Sequence, residues 1–136
     1  MGQVKTAVRL TNVGDALLQQ QGQRVPEAVR TYTTEALVDT GATRCVLPVF
    51  VVEQLGLTRM GRTVAQMADG RFVETDVTAP FFVEILGRMT VEDALVLGEQ
   101  VLLGVTVLEK LDLLVDCSRQ RLIPNPAHPD QPVFRV

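Results

Sequence analysis

The feature that most limits the possible folds is a series of short apolar runs, each ended by a turn signal. Residues 4–10 alternate polar and apolar side chains with the period of two expected for a half-buried strand. Further β-prone runs cover residues 28–32, 35–38, 81–86, 89–97, 101–103 and 113–115. No run approaches the roughly 20 apolar residues that cross a bilayer. The pattern therefore predicts a mostly β domain.

Two segments carry helix signals instead. Residues 49–55 lie between Pro48 and Gly56, and proline at the start with glycine just past the end is typical of a short helix. A second short helix is predicted over residues 105–111, whereas the glutamine-rich residues 19–23 are expected to form a loop. These elements predict a small closed β-barrel with two short helices.

The sequence also predicts a hairpin around Ala68-Asp69-Gly70. Residues 63–67 and 71–77 are β-prone, and Asp-Gly between such arms favours a tight turn because both positions tolerate positive φ. The arms mix polar and apolar side chains, which leaves two placements open, over solvent or over a cleft.

Length and charge limit the classes of protein to which the chain can belong. Its 136 residues fit one domain, with a core over residues 27–123 and a proline-rich tail over residues 124–136. A net charge of −3 and scattered basic residues argue against nucleic acid as a partner. With no secretory or membrane-spanning pattern, we expect a cytoplasmic protein without a membrane partner.

Cysteine and histidine usage narrows the possible chemistry. Cys45 and Cys117 match no zinc-site spacing, and we expect them to be reduced, although the sequence leaves a disulfide open. His128, the one histidine, lies in the proline-rich tail, a poor place for a rigid catalytic base. A single histidine therefore argues against triads built on histidine and against most His-rich metal sites, and no metal or cofactor is expected.

The most informative motif is Asp39-Thr40-Gly41. The carboxylate comes directly after an apolar strand, so a rigid scaffold can aim it from the strand end, and glycine lets backbone approach the carboxylate closely. All three residue types also favour ordinary turns. A second apolar element ending in glycine, Leu102-Leu103-Gly104, lies far downstream and leads into the second helix.

This order of elements resembles the retropepsin-like aspartic proteases over residues 27–123. The resemblance implies that Asp39 is catalytic, that Thr40 grips its counterpart across a dimer axis, and that Gly41 contributes backbone beside the carboxylates. It also implies that Leu102-Leu103-Gly104 packs against the catalytic turn and that the hairpin at Ala68-Asp69-Gly70 is the flap. The residues assigned to substrate binding are accordingly Ala42, Ala68, Asp69, Gly70, Leu102, Leu103 and Gly104.

A single Asp-Thr-Gly implies two chains. The chemistry needs two carboxylates that share one proton, and this chain supplies one, so a two-fold homodimer must bring Asp39 against its own copy. In the resembling family the chain termini interleave across the dimer. Residues 133–136 and 1–10 are candidates for that role, or else they pack on their own subunit.

Three interpretations follow. The first is an aspartic endopeptidase that cleaves extended peptide or protein substrates; the second is a catalytically silent dimerisation or peptide-binding domain of the same fold; the third is an unrelated β domain with a coincidental turn. For the first, Ala42 cannot donate the hydroxyl hydrogen bond that Ser or Thr gives in relatives. We therefore expect optimal activity nearer to mildly acidic or neutral pH than to strongly acidic pH.

Overall fold

The computed structural model describes residues 3–136, and its secondary structure is mostly β, as predicted. In chain order the elements are β1 (Val4–Asn12), α1 (Val13–Gln20), a 3-10 helix (Pro26–Ala28), β2 (Thr31–Val38), β3 (Cys45–Leu47), α2 (Val49–Leu55), β4 (Arg59–Gln66), β5 (Phe72–Thr78), β6 (Phe81–Ile85), β7 (Arg88–Glu92), β8 (Ala94–Val96), β9 (Leu102–Leu103), α3 (Val105–Leu111), β10 (Leu113–Asp116) and β11 (Arg121–Pro124). No helix within residues 3–136 has both the length and the apolar character needed to cross a membrane.

Within residues 3–136, nine strands form one sheet, in the order β4-β5-β8-β3-β9-β2-β1-β6-β7, and β10 pairs with β11 separately. Most neighbours are antiparallel, but β2 runs parallel to β9 and β3 runs parallel to β8. These two parallel pairs join residues 31–47 to residues 94–103. They fix the centre of the sheet, where β2 ends.

The predicted closed barrel is not present among the described strands. The hydrogen-bonded order has two ends, β4 and β7, and these end strands do not pair with each other. On the β7 side a helix lies alongside instead of a strand, since Lys110 of α3 donates to the backbone carbonyl of Val91 at 3.1 Å. The sheet is therefore open in residues 3–136.

The structure has three α-helices in its described part, one more than predicted. Helices α2 and α3 have the predicted bounds, and Gly56 ends α2 in the left-handed region, at φ 63°. The additional helix is α1, so the loop predicted over residues 19–23 was wrong for its first two positions. Its start is a side-chain cap, because Oδ1 of Asn12 accepts a hydrogen bond from the Asp15 backbone N–H at 3.0 Å.

Asp15 also fixes the chain that follows α1. Its buried carboxylate pairs with Arg24 and accepts hydrogen bonds from the Arg30 backbone N–H (3.0 Å) and Nε (2.8 Å). Hydrogen bonds from the Arg30 side chain are the largest reason that the pKa of Asp15 lies below its ordinary value. The strand predicted over residues 28–32 consequently begins later, at Thr31, after the 3-10 helix.

The core lies between α2, α3 and the inner face of the sheet. Its largest fully buried side chains include Phe81, Leu10, Leu47, Leu55 and Leu111. The run predicted as one strand over residues 89–97 is two strands, since Asp93 interrupts it and only the second part pairs with β3. Residues 133–136 lie outside any strand in this single subunit.

Candidate active site

Asp39 begins a tight turn directly after β2. The parallel pairing with β9 continues into this turn, because the Asp39 backbone N–H donates to the Leu103 carbonyl at 3.0 Å. The turn is closed by a hydrogen bond from the Ala42 N–H to the Asp39 carbonyl at 3.1 Å. Within it, the Gly41 N–H donates to Oδ1 of Asp39 at 2.9 Å. The carboxylate is thus oriented by the backbone of its own turn.

Leu103 and Gly104 support that turn from behind. A Cβ at position 104 would lie 2.8 Å from the backbone N and O of Arg44, so only glycine fits there without a shift. The next two residues add bonds to the same loop. The Val105 N–H donates to the Ala42 carbonyl (2.7 Å), and Thr106 Oγ1 donates to the Thr43 carbonyl (2.7 Å). The apolar-apolar-glycine element therefore packs against the turn, as the resemblance implied.

A cleft of about 630 Å³ opens in front of the turn. Of the residues assigned from sequence, it is lined by Asp39, Gly41, Ala42, Ala68 and Leu102. Leu103 and Gly104 are buried behind the turn, and Thr40 faces a different groove. Asp69 and Gly70 lie at the hairpin tip, outside the cleft lining.

The β4–β5 hairpin covers one side of this cleft, which decides between the two placements left open by the sequence. Its residues 64–68 line the cleft together with residues of the Asp39 turn and Leu95 of β8. At the tip the Met67 N–H donates to the Arg71 carbonyl (2.8 Å), and Gly70 has φ 89°. Hydrogen bonds from the Arg71 backbone and side chain lower the pKa of Asp69. The Asp69 carboxylate and the Arg71 guanidinium therefore form an ion pair at the tip.

Comparison with known proteins places this arrangement in a family. The family model of gag-polyprotein aspartyl proteases matches residues 26–110, which contain the Asp39 turn, the hairpin and β9. The chain belongs to that family. Its retropepsin-like character, predicted from the motif order, is confirmed.

A solved structure of EIAV protease, complexed with the inhibitor HBY-793, has a similar fold to this aspartyl protease family member. The TM-score is 0.52 at 23% sequence identity, and the match covers 79% of this chain and 86% of that one. At this identity the likeness concerns the fold. No curated protein matches the chain.

In this member of the aspartyl protease family, Thr40 lies on a second groove. The groove has a volume of about 530 Å³ and is largely apolar, lined also by Val105, Leu108, Glu109 and residues 112–115. Thr40 is exposed, and its hydroxyl makes no hydrogen bond to any residue within 3–136. Leu114 exposes 45% of its surface beside it. The groove thus lies between Thr40 of the Asp-Thr-Gly motif and an exposed apolar surface.

Asp112, in the lining of the second groove, holds the C-terminal tail through hydrogen bonds. Its carboxylate accepts hydrogen bonds from Asn125 Nδ2 (3.0 Å) and the Val133 N–H (3.1 Å), and it contacts His128 Nδ1 at 2.7 Å. The bond from Asn125 is the largest cause that lowers the pKa of Asp112. Residues 125–133 therefore pack on their own subunit.

Sequence reasoning did not assign Arg44, Gln66, Glu99 and Gln100, which also line the cleft. Arg44 directly precedes β3, in which Cys45 and Leu47 are buried, so the alternation of the strand indicates an outward side chain but does not give its place in the cleft. The two cysteines are free: Cys45 is buried, which raises the pKa of its thiol to about 12, and Cys117 is exposed. Within residues 3–136 no three His, Cys, Asp or Glu side chains are grouped to hold a metal ion.

Proposed function

We propose that the chain is one subunit of a homodimeric aspartic endopeptidase that hydrolyses extended peptides or proteins. The observation that carries this proposal is the position of Asp39. Its half-buried carboxylate is held by the Gly41 N–H at 2.9 Å and lines a cleft that the β4–β5 hairpin covers. Membership of the aspartyl protease family supports the same conclusion.

The reaction needs a second carboxylate, and the second Asp39 comes from a second copy of the chain. Two closely placed carboxylates share one proton and titrate as a pair. The ionised one takes a proton from water, and the water oxygen attacks the scissile carbonyl. The protonated one donates its proton to the carbonyl oxygen, which gives a neutral tetrahedral diol. Transfer of a proton to the amide nitrogen then lets the C–N bond break and frees acid and amine.

Other residues of the chain keep the two carboxylates in place. The Gly41 N–H orients each Asp39 carboxylate. Gly104 packs closely against the backbone of the loop that follows the turn and so limits its movement. Thr40 and the apolar groove beside it, with exposed Leu114, are the surface that we assign to the partner subunit. The hairpin covers the bound peptide and limits the access of bulk water.

The test is cleavage of a diverse peptide mixture between about pH 4 and 8, with products identified by mass spectrometry. The purified protein is compared with Asp39→Asn and with Asp130→Asn, which removes an exposed carboxylate of the tail. We expect cleavage by the wild type and by Asp130→Asn and none by Asp39→Asn. Sedimentation should show that all three proteins are dimers.

A second candidate function is a silent peptide-binding domain, because the same covered cleft would bind a peptide without cutting it. A dimer that binds peptides but cleaves none at any pH would establish that function. Cleavage that persists in Asp39→Asn would refute the proposed mechanism.

A further inference from the structure

One wall of the cleft is built from alternate residues of two parallel strands. Strands β3 and β8 pair with Val46 opposite Leu95. Cys45, Leu47, Ala94 and Val96 point into the core and are buried. The intervening Arg44, Val46, Leu95 and Leu97 line the cleft. Since side chains alternate across a sheet, this wall is an apolar strip with an arginine at one end.

Arg44 is held at that end from two sides. The Arg44 backbone packs so closely against Gly104 that a Cβ on Gly104 would not fit between them. This contact fixes the position from which the Arg44 side chain begins. Its guanidinium forms an ion pair with Asp93, the residue just before β8. Both side chains remain accessible, at 40% for Arg44 and 50% for Asp93.

The Arg44 guanidinium has N–H donors that form no hydrogen bond within residues 3–136. Of its five N–H donors, one is used, since Nη2 bonds to Asp93 and no other bond to its side chain occurs within residues 3–136. Among the described residues that line the cleft, Arg44 is the one cation, and Asp93 is not part of the lining. An arginine in this state is suited to a planar carboxylate, which it binds through two parallel hydrogen bonds.

We propose that Arg44 is a specificity-determining residue, which selects peptides that place an aspartate or glutamate side chain at the end of the β3–β8 wall. This inference rests on the proposed function, of which it names the substrate class. The strip of Val46, Leu95 and Leu97 takes an apolar side chain of the same peptide. Asp93 holds the guanidinium in position and reduces its attraction for the substrate carboxylate.

The opposed roles of Arg44 and Asp93 give a test that a structural effect would not imitate. In an Asp39→Asn background, peptides are selected from a randomised display library, so that binding is read without cleavage. The additional variants are Arg44→Gln and Asp93→Asn, and Arg119→Gln is the control for loss of one positive charge at an exposed site outside the cleft. Circular dichroism and sedimentation show that each variant keeps its fold and assembly.

We expect acidic residues to be enriched at one position of the selected peptides. Arg44→Gln should reduce this enrichment about fivefold, Asp93→Asn should increase it, and Arg119→Gln should leave it unchanged. Enrichment of lysine or arginine would overturn the inference and point instead to recognition by the Glu99 carboxylate, which also lines the cleft. Acidic enrichment that survives in Arg44→Gln would overturn it as well. An equal loss in both Arg44→Gln and Asp93→Asn would show that the pair only maintains the fold.

Parallel digestion of the peptide mixture by the active protein keeps the two proposals apart. If the library shows acidic selection that depends on Arg44 and nothing is cleaved, the specificity proposal stands and the protease proposal fails. If peptides are cleaved but the cut sites and the selected peptides show no acidic preference, the protease proposal stands and the role of Arg44 is refuted.

Discussion

Gly104 lies so close to Arg44 that a Cβ on the glycine would come within 2.8 Å of the backbone N and O of the arginine. The contact joins the residue before α3 to the loop that follows the Asp39 turn. Gly104 itself has φ −84° and ψ 173°, a conformation open to any residue. Glycine is therefore required at this position by space and not by backbone conformation.

Gly104→Ala should destabilise the protein by about 1–3 kcal/mol, because the added methyl group must push the loop away. Displacement of the loop should also lower the peptidase activity more than the fraction of unfolded protein explains. Gly61→Ala is the control, since a Cβ at Gly61 meets nothing within 4 Å. Urea denaturation and peptide cleavage of the two variants check this prediction. Equal stability of the two variants would contradict it.

Thr40→Val should weaken the dimer while each subunit stays folded. The Thr40 hydroxyl is exposed on the second groove and has no partner in the described part of its own chain, so its hydrogen bond is available to a second copy. Loss of one bond from each subunit should raise the dimer dissociation constant roughly tenfold. Sedimentation over a range of concentrations measures the constant. Thr58→Val, exposed and outside both grooves, should have no effect.

Ala42→Ser should shift the acid limb of the pH–rate profile to lower pH by roughly one unit. Ala42 lines the cleft in the same tight turn as Asp39, and a hydroxyl there can donate to the ionised carboxylate pair. A donated bond favours the charged form, so activity should persist to lower pH. Ala42→Cys, similar in size but a weak donor, is the control. An acid limb that stays in place in the serine variant would refute the role of position 42.

Asp15→Asn should destabilise the protein at neutral pH by about 2 kcal/mol, since it removes the buried carboxylate that pairs with the partly exposed Arg24 and Arg30. The pKa of Asp15 in the folded protein lies below the ordinary value of 3.8. The stabilisation is therefore complete above that value and disappears as pH falls through the lowered pKa. Thermal unfolding of both proteins between about pH 7 and 3 should show the gap in stability closing on the acid side.

The Asp39 turn and its support were predictable because both are local sequence signals joined by one long-range pairing. Asp39-Thr40-Gly41 follows strand β2, and Leu102-Leu103, just before Gly104, is the strand that pairs with β2. Helix α2 was predictable from Pro48 and Gly56. Helix α1 was missed although its start has a local cap at Asn12, and the contacts that Asp15 of its first turn makes with Arg24 and Arg30 depend on the folded chain. Sheet closure and the cleft position of Arg44 also depend on strand order, which spacing alone does not give.

The parallel pairing of β2 with β9 has a consequence for when the site can exist. The Asp39 backbone N–H is bound by the carbonyl of Leu103, which is made much later in synthesis. Until the ribosome has released that segment, the turn lacks both its strand partner and the contact with Gly104. Closing so long a loop is slow and costs chain entropy. In a nascent chain the Asp39 carboxylate is therefore not yet held in its final orientation, and the candidate site is complete only once the central pairing of the sheet has formed.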